Sequence, residues 1–135
     1  MTTFGPYLAQ VVNIHDGDTI DVDIVLVKAA RLEHDQDLGF NVHRCAAGVE
    51  LERQSVRFYG CNAPELSTPD GVAARDFLCT LIAVGDRVTL LSHGWDKYGG
   101  RIDGTITLAD GRDLVETMIA AGHAVAWDGE GPKPV

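Results

Sequence analysis

The segment VRFYGCNAPE, residues 56–65, constrains the chain more than any other. Val56, Phe58 and Gly60 alternate with Arg57, Tyr59 and Cys61, the period-2 pattern of a pleated strand. The pattern breaks at Asn62-Ala63-Pro64, because proline supplies no backbone donor and pushes its predecessor out of the helical region. A strand carrying Arg57 therefore runs straight into a turn carrying Asn62 and Glu65. A cation and a carboxylate are held near one strand end, where side chains can converge on a ligand.

The rest of the chain supplies a frame for that segment. Residues 8–14 read as a strand, Asp16-Gly17 as a turn, and 19–26 as a second strand. Ile20, Val22 and Ile24 face one side of it, and Asp21 and Asp23 a side expected to be largely wet. Residues 53–60 form a third strand. Thr68-Pro69-Asp70 then starts a helix, with Thr as cap, Pro in the first turn and an acid beside it. Ala73, Phe77 and Leu81, with Ala74, Leu78 and Ile82 beside them, predict an amphipathic face that Gly85-Asp86 ends. Residues 87–92 and 101–108 read as strands flanking a loop at 93–100. Asp113 caps a second helix with Leu114, Val115, Met118, Ile119 and Ala121 on its apolar face. The segment 28–52 is the least legible. It combines a helix-like piece at 29–34 with a glycine-containing loop, and is expected to form an extended hairpin or a surface excursion. Asp35, Asp37 and Gly39 do not make a calcium loop, because Ala46 stands where the bidentate acid is needed.

Composition narrows the class. A chain of 135 residues is one domain, 1–135, with a single core over about 8–128. No apolar run approaches the ~18 residues that span a bilayer, so no membrane association is expected. No basic-then-apolar leader is visible, which points to the cytoplasm and is compatible with a phage or mobile-element origin. Cys45, Cys61 and Cys79 are odd in number and widely spaced, and read as ordinary thiols rather than a disulfide framework or zinc site. The five histidines show no metal-binding spacing. A net charge of −9 argues against unselective nucleic-acid binding, yet leaves room for an enzyme that grips phosphate through a few arginines and a cation. The acidic surface and the 28–52 excursion are the expected places for a homodimer contact or a protein partner.

Two further motifs join the first: HDGDT at 15–19 and DKYGGR at 96–101. Together, in this order and with these spacers, the three resemble the staphylococcal nuclease (thermonuclease) family. The resemblance implies an α+β, mainly β fold: a five-stranded OB-type barrel with two or more packed helices. It also implies calcium-dependent hydrolysis of phosphodiester bonds in DNA or RNA, with single-stranded or loosened substrates preferred.

Phosphodiester hydrolysis needs an activated water, charge stabilisation at the phosphoryl oxygens, and orientation. Glu65 is the candidate general base. Arg57 and Arg101 are candidates for a phosphate clamp, since a guanidinium fork matches phosphate geometry. Asp18 and Asn62, with the carbonyl of Ala63, offer hard oxygens suited to calcium, and Asp16 is a further ligand or an outer acid. The resemblance matches Asp18 to the principal metal carboxylate, Arg57 and Glu65 to the catalytic pair, and Arg101 to the second arginine. It places Lys97, Tyr98 and Trp127 where the nucleotide is gripped.

The chain departs from the family pattern twice. Asn62 stands where an aspartate is common, which removes a charge, weakens calcium and admits other divalent ions. An extra glycine precedes Arg101, so that loop must bulge to restore the arginine's aim. These departures keep a second reading open: a non-catalytic OB-type module that binds nucleic acid or protein.

Overall fold

The computed structural model describes residues 3–28, 43–45, 48–96 and 99–127. The N-terminal hairpin is longer than its apolar alternation suggests. Strand β1 runs Phe4–Asp16 and β2 runs Thr19–Lys28, antiparallel, with Val11 opposite Val22. Strand β3 (His43–Cys45) pairs with β4 (Gly48–Phe58), and β4 pairs back along β2 from Arg57 opposite Thr19 out to Gly48 opposite Lys28. The ends of the 28–52 excursion are thus an extension of barrel strands, as an extended hairpin requires. The helix-like piece at 29–34 and the acids at 35 and 37 lie outside the described residues.

After β4 come the two-residue strand β5 (Cys61–Asn62), helix α1 (Pro69–Leu81), β6 (Arg87–Trp95), β7 (Ile102–Thr107), helix α2 (Leu114–Ala120) and β8 (Val125–Ala126). The main sheet runs β2-β1-β6-β7-β4-β3, and the β2–β4 pairing closes it. Strands β1, β2, β4, β6 and β7 make a closed five-stranded mixed barrel, with β4 and β7 parallel, in an α+β, mainly β, OB-type fold. Closure leaves few free edges for the barrel strands to expose. β5 and β8 form a separate two-stranded ribbon that the period-2 reading did not anticipate.

One core fills the barrel and the seam beneath both helices. Val11, Ile20, Val22, Val56, Phe58, Leu90 and Ile106 from the strands meet Leu78 of α1 and Leu114 and Met118 of α2, all fully buried. Burying each large apolar side chain contributes about 1.5–3 kcal/mol. In α1 the buried stripe is Ala74 and Leu78, continued by Ile82 just past the helix; Phe77 and Leu81 pack partly against it, while Ala73 stays exposed. Thr68 caps α1 through its side chain, which accepts from the Gly71 N–H at 3.0 Å, and Asp113 caps α2 by accepting from Glu116 N–H at 3.0 Å. Helix α1 stops at Leu81, short of Gly85, because Ile82 is already extended.

Two further expectations change. The loop predicted from residue 93 begins later: β6 continues through His93 and Gly94 to Trp95, which pairs with Ile102. The second face of β2 is not largely wet either. Asp21 is only 7% exposed, in a strand paired with β1 on one side and β4 on the other, and the His15 ring reaches over to it, Nε2 to Oδ2 at 2.9 Å.

Candidate active site

The site is built where the β1–β2 turn meets the end of β4. The turn is held by Asp16, whose Oδ1 accepts from the Asp18 N–H at 3.1 Å. A Cβ on Gly17 would stand 2.9 Å from the Cβ atoms of both Ala63 and Ala74, so glycine lets the turn press onto the post-β4 segment and α1 together. Asp18 is thereby buried with its carboxylate facing β4. Its Oδ1 accepts from the Thr19 hydroxyl at 3.1 Å, and its Oδ2 accepts from the Ala63 N–H at 3.1 Å. Its backbone carbonyl accepts from Phe58 N–H at 2.8 Å, tying the turn to the strand that carries Arg57.

Arg57 reaches into the same cluster. Its Nη2 lies 3.7 Å from Asp18 Oδ2 and donates to Asn62 Oδ1 at 3.4 Å, while Nη1 donates to the Phe58 carbonyl at 3.4 Å. Both charged side chains are largely shielded, 14% exposed for Arg57 and 12% for Asp18, so their attraction is stronger than that of a surface pair. The guanidinium carbon sits 5.3 Å from the centre of the Trp127 ring, a cation–π contact. Trp127 is itself anchored by its backbone N–H, which donates to the Gly60 carbonyl at 3.0 Å. Beneath the pair, burial and then the charge of Asp18 push the Cys61 thiol up to about 12, leaving a neutral floor.

The fold therefore brings Asp16, Asp18, Arg57, Asn62, Ala63 and Trp127 into one cluster. Arg101 stands apart from those contacts. Its Nε donates to Asp96 Oδ2 at 2.8 Å, in a turn where the Asp96 N–H also bonds the Arg101 carbonyl at 2.8 Å. Gly99 and Gly100 both adopt positive φ, +70° and +80°, a backbone conformation that glycine takes without strain. Glu65 is exposed on the turn between β5 and α1, its carbonyl accepting from the Thr68 hydroxyl at 2.7 Å. Lys97 and Tyr98 lie outside the described residues.

Residues not singled out beforehand complete the picture. Asp103 pairs in register with Arg57 across the parallel strands. Burial and then the nearby charge of Asp96 raise its pKa, while Arg57 and Arg101 both pull it down, so one carboxyl feels the charge of both arginines. Its alternation with Arg101 in the predicted strand 101–108 put the two on one face but named no partner across the sheet. Asp96 lies inside the DKYGGR motif and orients Arg101.

Asp16 has its pKa raised by burial first, then by its hydrogen bond and charge repulsion with Asp18. Two carboxylates that disfavour each other's charge are what a bound cation would relieve, and Asp18, Asp16, Asn62 and the Ala63 carbonyl are the hard oxygens of this segment that could hold one. Among the described residues no group of three or more His, Cys, Asp or Glu side chains could hold a metal. Water or a substrate phosphate would then supply the remaining ligands. A cavity of about 640 Å³ opens beside the cluster, bounded by the Asn62–Glu65 turn, the start of α1 and the segment after α2. Among the described residues no helix is long and apolar enough to cross a membrane. No family model matches the chain, and no curated protein matches it.

Proposed function

We propose that the chain is a divalent-metal-dependent nuclease of the staphylococcal nuclease type, hydrolysing phosphodiester bonds of single-stranded or loosened DNA or RNA. The observation that carries this reading is the convergence of Asp18, Asn62 and Arg57 within 3.4–3.7 Å at the mouth of the turn that bears Glu65. Arg57 offers a fixed guanidinium fork to a phosphate, held in place by Asn62 below and Trp127 beside it. Arg101, steadied by Asp96, supplies the second cation. Glu65, exposed beyond Pro64, takes the proton of an attacking water. Asp18, Asn62 and the Ala63 carbonyl, with Asp16 beside them, would hold a divalent cation, which when bound would neutralise phosphate charge and help orient that water. The amide at Asn62 lowers the charge of the set, so calcium binds weakly and magnesium or manganese competes.

The test is cleavage of a fluorescent single-stranded DNA and an equivalent RNA with calcium, magnesium, manganese or EDTA. The expected result is cleavage with at least one ion and none in EDTA. Silence in every condition from a folded chain would reject the reading.

One observation favours a second reading, a non-catalytic OB-type module for nucleic acid or protein. Arg57 already bonds the oxygen of Asn62 and faces Asp18, so the same oxygens are satisfied as a structural ion pair with no further cation. Oligonucleotide binding without metal-dependent turnover is the result that selects it.

A further inference from the structure

We propose that the cavity beside the candidate site is a subsite for the uncharged part of a nucleotide, the base and sugar next to the scissile phosphate; this rests on the nuclease reading. Its volume of about 640 Å³ falls within the roughly 300–1,000 Å³ usual for small-molecule sites. It starts at Asn62, Ala63 and Glu65, so a phosphate between Arg57 and Glu65 would send one flanking nucleoside into it. Among the described residues its lining includes no lysine or arginine, whereas Glu65 and Asp70 belong to it. A second phosphate would be repelled there, while a neutral heterocycle would not. Pro64, Ala73 and Val125 offer apolar surface to a base, and the Asn62 amide offers a hydrogen-bonding group to its edge or to the sugar. His123 is a fixed wall, because its ring stacks on Phe77 at 4.7 Å between centroids and 24° between planes.

Ala73 gives the test. It is exposed on α1, off the buried stripe, and points no methyl into the core, so Ala73→Trp fills the cavity without repacking the barrel. Hydrolysis is measured on a single-stranded tetranucleotide and on bis(p-nitrophenyl) phosphate, which has no nucleoside to seat. We expect the ratio of the two kcat/KM values to fall about tenfold in Ala73→Trp, the effect of losing one well-held base. An unchanged ratio overturns the subsite. If the native chain cleaves neither substrate, the nuclease reading fails, and the cavity is judged separately by titrating deoxyadenosine and following backbone amide shifts. Shifts at Thr68 and His123 that vanish in Ala73→Trp support the subsite; none in the native chain rejects it.

Discussion

His93 shows how one side chain can carry a pH dependence. Its ring stacks on Tyr59 at 3.9 Å and 14°, its Nε2 bonds the Thr105 hydroxyl at 2.8 Å, and its Nδ1 is buried with no partner among the described residues. Burial lowers its pKa below the usual 6.5, against the opposing pull of Asp103. A histidine depressed in the folded state is favoured neutral, so its contribution is present above about pH 6.5 and is lost as pH falls through the folded value. Urea midpoints measured from about pH 7 to pH 5 should therefore decline more steeply for the native chain than for His93→Phe, which keeps the stacking on Tyr59. Parallel declines would show that burial of this ring does not set the slope. At this scale Asp18, Arg57 and Asn62 were legible, because each sits in a short motif whose turn fixes its direction. Asp103 was not. Its importance comes from the parallel register that sets it beside Arg57, and nothing local announces that pairing.

The element that positions Glu65 is the start of α1, and Gly71 decides how closely the two approach. A Cβ there would overlap the Glu65 carbonyl group and stand 2.9 Å from Leu66 Cα. Helix propensity alone makes Gly71→Ala stabilising by about 1 kcal/mol. The overlap is with backbone, which cannot rotate aside, and forced repacking costs roughly 1–3 kcal/mol. The second effect wins. Gly71→Ala is expected to lower the unfolding free energy in denaturant titrations and to reduce cleavage by shifting Glu65; a more stable variant of native activity would contradict that placement. Both helices were readable from their caps, Thr68 and Asp113, and from their apolar spacing. The short strands β3, β5 and β8 were not, since two or three residues carry no period. β6 outran its expected end because pairing of Trp95 with Ile102 outweighs the loop propensity of His93 and Gly94.

At the scale of the whole molecule, the barrel closes through the β2–β4 pairing and the parallel β4–β7 pairing, contacts far apart in sequence. Alternation along single strands gives only antiparallel α+β; the resemblance carried by three motifs implied the closure. That closure sets the Asp16-Gly17-Asp18 turn against the end of β4 and leaves Glu65 exposed beside them. With a net charge of −9, the molecule has little general attraction for nucleic acid, so the proposed turnover rests on this one cluster. The most direct test is the single-turnover rate of metal-dependent cleavage for the native chain and for Glu65→Gln, each shown to be folded. Loss of a general base should slow cleavage by about 10²–10⁴-fold. A Gln variant that cuts at the native rate, with the same metal requirement, would contradict the assignment of Glu65 and with it the proposed mechanism.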